Sequence, residues 1–147
     1  MRARNIKPSL FTNELLAVAE PINTVIFTGL WCLADRAGRL EDRPARIHMA
    51  INPGRAFPTT SDALDWLTEN GFLIRYRVDG VGYIQIVNFE KHQHPHHLEK
   101  ASDIPPYHRE EIPDSGGYAM AENLGQVPDK TETSPRHLNG AHGPNPS

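Results

Sequence analysis

The sequence predicts an α+β fold, mostly helical, and two observations carry that prediction. Apolar residues recur at helical spacing in several segments before residue 70. After it the spacing changes to period two, broken once by Asp79-Gly80. The 147 residues suffice for one compact domain and leave too little chain for a second core.

Taken in order, Glu14 to Val18 reads as a short helix of about two turns. Thr12 or Asn13 caps it, and it ends before Pro21. The next helix opens at Pro21, because a proline in the first turn forfeits no intrahelical hydrogen bond, and Gly38 marks its far end. Ile22, Val25, Ile26, Gly29, Leu30 and Leu33 are its expected apolar stripe. Cys32 lies in the same run and is expected as a buried thiol; as the single cysteine it excludes an intramolecular disulfide and a cysteine-based zinc site.

Arg39 to Asp42 is too short for a helix and reads as an edge strand or extended turn. Pro44 opens another short helix, with Ile47, Ala50 and Ile51 on one face and Arg43, Arg46 and His48 elsewhere, and Asn52-Pro53-Gly54 stops it. Thr59, Thr60 and Ser61 offer capping hydroxyls to a further helix that buries Ala63, Leu64 and Leu67 and terminates at Gly71. From Phe72 to Val78, alternation puts Phe72, Ile74, Tyr76 and Val78 on one side and Leu73, Arg75 and Arg77 on the other. Tyr83 to Val87 supplies the returning strand, and a two-stranded ribbon of this kind must pack on the helices to persist.

Beyond Ala101 the patterning fails. Seven of the thirteen prolines fall there among scattered apolar residues, so a disordered tail over 101–147 is expected, because such a segment cannot bury enough surface to offset its ordering entropy. The order helix, short strand, helix, turn, helix, hairpin is that of a winged helix-turn-helix, expected over 1–100 with its core at about 5–89.

Charge is uneven along the chain: the net value is +3 over residues 1–60, −2 over 61–100 and −4 over 101–147. That asymmetry suits a protein that offers its front to a polyanion. No signal peptide or span of roughly 18 apolar residues is evident, so the expectation is a cytoplasmic protein with no membrane partner. Phosphate-loop, nucleophile-elbow and zinc-protease motifs are missing, so no enzyme and no cofactor is expected. His92, His94, His96 and His97 cluster within six residues, but structural zinc sites draw ligands from two separate elements, so no metal site is assigned.

Several segments carry a family resemblance: Arg4-Asn5-Ile6-Lys7-Pro8, Gly29-Leu30-Trp31-Cys32-Leu33-Ala34-Asp35-Arg36, Gly38-Arg39-Leu40-Glu41-Asp42-Arg43-Pro44 and Asn70-Gly71-Phe72-Leu73-Ile74-Arg75-Tyr76. With Val78-Asp79-Gly80, Tyr83-Ile84-Gln85-Ile86 and Asn88-Phe89-Glu90-Lys91-His92-Gln93, they resemble the winged-helix N-terminal domain of phage and prophage replication proteins of the replisome-organiser type. The resemblance spans roughly residues 4 to 100. It implies binding of DNA at a replication origin, duplex in preference to single strands, and a replisome partner such as a helicase or its loader.

If DNA is bound, the expected contacts are Arg39 and Arg43 in the linker, Arg46 and His48 on the second core helix, Arg55 in the turn, and Arg75 and Arg77 on the wing. Thr59, Thr60 and Ser61 add hydroxyl and helix N-terminal contacts to phosphate. Each cation has a competing role as a solvated charge or a structural pair, as Arg39 with Asp35. Arg2, Arg4 and Lys7 could form a basic arm or a frayed terminus. The third core helix departs from the family pattern: residues 60–70 hold Asp62, Asp65 and Glu69 and no Lys or Arg. An acidic helix of that kind favours the alternative of a protein-interaction winged helix without base readout.

Overall fold

A computed structural model describes residues 1–109, and the expected tail from residue 110 onward lies outside the described residues. Among the described residues the elements run α1 (Glu14–Val18), α2 (Pro21–Leu33), β1 (Arg39–Glu41), α3 (Pro44–Ile51), α4 (Phe57–Glu69), β2 (Leu73–Val78), β3 (Val81–Ile86) and α5 (Phe89–His92). The three strands form one antiparallel sheet in the order β1-β3-β2, so β1 is an edge strand. Helices α2, α3 and α4 pack on one another, and α4 also contacts β2.

Local chemistry explains most boundaries. Asn13 caps α1, its Oδ1 accepting from the Leu15 and Leu16 amides at 3.0 and 3.1 Å. Pro21 and Pro44 open α2 and α3. Helix α4 starts before the expected threonines: Pro58 sits in its first turn, and no side chain caps it. The earlier start follows from proline's tolerance at that position, and it carries Thr59, Thr60 and Ser61 inside the helix. In the hairpin, Asp79 and Gly80 have φ of +50° and +79°, the left-handed pair that a two-residue turn between twisted strands demands.

The core gathers Ile26 and Leu30 from α2, Leu64 and Leu67 from α4, and Leu73, Ile84 and Ile86 from the hairpin, all essentially inaccessible. Phe27 stands edge-on to Trp31 and Phe72 at centroid distances of 5.1 and 5.2 Å, and Trp66 stacks on Phe72. Of the expected stripe of α2, Ile26 and Leu30 are buried and Ile22 and Leu33 pack against the core; Phe27 and Trp31 widen the buried face, whereas Val25 is 51% exposed and Cys32 is only half-buried. Gly29 permits the crossing of α2 with α3, since a Cβ there would lie 2.8 Å from Ile51 Cδ1.

The two sides of the hairpin meet different partners. Leu73, paired with Ile86, and Arg75, paired with Ile84, lie on the core side, and Tyr76 and Tyr83 pair on the outer side. Both phases begin with an aliphatic residue, Leu73 or Ile74, so apolarity alone does not choose between them. The outer side is covered by a strap. After α5, the chain runs back along the N-terminal segment, where Gln93 exchanges two amide hydrogen bonds with the Asn5 backbone. Ser102 then donates to Asp35, the Tyr76 hydroxyl donates to the Pro105 carbonyl at 2.7 Å, and the Tyr107 ring meets Tyr76. Residues 101–109, expected within the tail, therefore lie against the domain. No helix of the described residues is long and apolar enough to cross a membrane.

Candidate nucleic-acid interface

Three of the expected cations converge. Arg39 on β1, Arg43 at the start of α3 and Arg46 one turn further line a groove of about 330 Å³, joined by Arg2 from the N-terminus. Its apolar floor comes from Leu33, Leu40, Ile47, Ala50 and Ile104, and Asp35 and Glu41 are its carboxylates. Four guanidinium groups against two carboxylates leave the groove positive. The β1–α3 connection produces this clustering, because it places residues 39, 43 and 46 around the edge strand and the first turns of one helix.

The four arginines are committed to different degrees. Arg39 donates to Gln85 at 2.9 Å and to the Ile104 carbonyl at 3.2 Å. Arg2 pairs with Glu99 at 3.0 Å, and Arg43 pairs with Glu41 at the surface. Arg46 is exposed and has no side-chain partner among the described residues. Exposed pairs of the Arg43–Glu41 kind are worth little, so Arg43 and Arg46 can turn to an incoming phosphate at small cost.

Other expected contacts lie elsewhere. His48 and Thr60 are buried and belong to the interior: His48 Nδ1 lies 2.8 Å from Thr60 Oγ1, and Asn52 Nδ2 donates to the same oxygen at 3.0 Å. The assignment of His48 and Thr60 to a phosphate-binding surface is therefore corrected. Their triad, with the Phe57 ring edge-on to His48, braces the proline-interrupted turn between α3 and α4. Replacing Thr60 with valine keeps the shape and strands two buried polar groups, so we expect a loss of about 1–3 kcal/mol in urea denaturation. Thr59 and Ser61 are half-buried, in the first turns of α4.

Arg75 is likewise not a free wing cation. It grips Asp42 with two hydrogen bonds of 2.7 and 2.9 Å and reaches Asp65 on α4 at 2.8 Å, tying the hairpin to the third core helix. Arg77 is exposed at the hairpin and donates to the Gly80 carbonyl; Arg55 is exposed in the α3–α4 turn without a side-chain partner among the described residues. Along α4, Asp62 and Glu69 remain exposed and unpaired among the described residues.

The basic arm is corrected too. Arg2 and Arg4 cap the C-terminal end of α2: Arg4 Nε donates to the Trp31 carbonyl at 3.0 Å, and both side chains reach the Ala34 carbonyl. Cations at a helix C-terminus satisfy its orphan carbonyls and oppose its negative dipole end. Arg2 thereby becomes a groove residue that the charge pattern alone does not select. Lys7 donates to the Lys91 carbonyl. His92 ends α5 and His94, His96 and His97 follow it, the His96 and His97 rings 4.3 Å apart, and no group of three metal-ligating side chains forms among the described residues.

Compared with protein-family models, with curated proteins and with solved structures, the chain matches none of them.

Proposed function

We propose that this chain is a winged-helix DNA-binding protein of the phage replication type, which grips the sugar-phosphate backbone through the arginine groove between α2, β1 and α3. The carrying observation is the convergence of Arg39, Arg43 and Arg46, with Arg2, on one positive groove. The winged-helix reading is supported by the succession α2, β1, α3, α4, β2, β3 and by the sheet order β1-β3-β2. In this reading α4 does not enter the major groove, since a duplex carries one charge per about 1.7 Å of axis and would repel its carboxylates. Site selection at an origin and recruitment of a helicase or its loader, in the host cytoplasm, belong to the same proposal.

Fluorescence anisotropy of the full chain with a labelled oligonucleotide, at two salt concentrations, tests it. Binding that weakens steeply with salt is expected, because each phosphate contact releases condensed counterions. A chain that fails to bind at low salt would sink the proposal. One observation favours a second reading, a protein-interaction winged helix: the exposed Asp62 and Glu69 give α4 an acidic outer face suited to a basic partner surface. Such an association would leave the oligonucleotide unbound.

A further inference from the structure

Resting on the backbone-binding reading, we infer that the arginine groove takes an unpaired nucleobase together with its phosphate, so that single-stranded nucleic acid is its preferred ligand. Two features of the site point there. A surface that only holds duplex phosphates needs cations; it needs no concave apolar floor. This groove, of about 330 Å³, has one: exposed Ala50 and half-buried Leu33 and Ile104, backed by the buried Leu40 and Ile47. That volume lies at the small end of pockets for small organic groups, which suits one planar ring system. In a duplex the base faces are stacked on their neighbours and unavailable to such a floor, whereas a single strand can splay a base out.

The rim supplies the other half of the ligand. Arg43 and Arg46, at the start of α3, can hold the phosphate, and a guanidinium plane also stacks on a base face. Asp35 and Glu41 are the carboxylates beside the floor. The Asp35 Oδ1 atom is taken by the Ala37 and Arg39 amides, and its Oδ2 by Ser102. Glu41 is half exposed and, once Arg43 turns to phosphate, is left to accept from an exocyclic amine. The acidic face of α4 argues against duplex docking and does not obstruct a strand lying along α3.

The test uses the full chain and three labelled 12-mers: a single strand, its duplex, and a sugar-phosphate strand without bases. The single strand is expected to bind about tenfold more tightly than either of the others, the scale of one stacked base. Ala50→Trp fills the groove and should erase that preference while the salt dependence persists. Ala50 is exposed, so the variant should fold; Ala50→Glu, which puts a carboxylate on the floor, gives an independent check. Equal affinity for the base-bearing and base-free strands, or a preference for duplex, overturns the inference and leaves the backbone grip standing. Failure of all three to bind overturns both.

Discussion

Truncating Arg4 to alanine is expected to destabilise the domain by about 3 kcal/mol, the lower end of the cost of breaking a buried ion pair from one side. The Arg4 side chain is 5% exposed and its fork meets both oxygens of Glu99, at 2.9 and 2.8 Å. The same guanidinium serves the Trp31 and Ala34 carbonyls and lies over the Phe89 ring at 5.2 Å. Removing it takes the fork from Glu99, leaves the Trp31 carbonyl without its side-chain donor and uncovers one face of a core aromatic. Arg2, 3.0 Å from Glu99, limits the loss. Domains of this size are stable by about 5–15 kcal/mol, so the variant should unfold at visibly lower urea. Arg4→Lys should recover only part of the loss, because an ammonium cannot form the planar fork. A variant within 0.5 kcal/mol or so of the parent would show that the strap is held by its other contacts.

Acid should act through the same contact. The hydrogen bond from Arg4 holds the Glu99 carboxyl below its ordinary value of 4.5, burial opposes this, and the charges of Arg4, Arg2 and Arg36 add to the lowering. A carboxyl whose folded value is depressed contributes its full stability above the unfolded value, and the contribution disappears as pH falls through the folded one. Stability should therefore decline as pH is lowered below about 4.5, and Glu99→Gln should flatten that decline.

The reading of elements from sequence succeeded where local rules dominate and failed where packing chooses. Prolines 21 and 44, the Asn13 cap and the Asp79-Gly80 turn act on adjacent backbone, and the structure places all of them as the spacing suggests. How far the buried face of α2 extends depends on Phe27 meeting Phe72, more than 40 residues away, with Trp31 edge-on to Phe27. On β2, Leu73 goes inward with Ile84 and Ile86 of the returning strand, and Arg75 on the same side is received by Asp42 and Asp65, partners distant in sequence. The strap beyond Gln93 has no periodicity at all, and its order rests on the Arg4 and Arg2 pairs with Glu99 and on single polar contacts to Asp35, Arg39 and Tyr76. For the site, the arginines of the β1–α3 connection were legible as a cluster because they are close in sequence. The burial of His48 and Thr60 was not, because a histidine and a threonine read equally well as surface ligands or as partners in a buried network.

The groove makes a sharper prediction than net charge does. Arg43→Ala combined with Arg46→Ala should weaken oligonucleotide binding roughly fifty- to hundredfold at low salt and reduce the salt slope by about 1.4 for a single strand, two phosphate contacts at about 0.7 each. Both side chains are exposed, and neither carries a buried interaction, so the urea midpoint should stay within error of the parent. That combination separates the groove from a diffuse field, because neutralising Arg55 and Arg77 removes the same formal charge from the turn and the hairpin. If the groove is the contact, the Arg55→Ala, Arg77→Ala pair should cost less than about threefold, as long-range screened charges do. Equal losses from the two pairs would mean that the whole basic front, and no particular groove, attracts the polyanion.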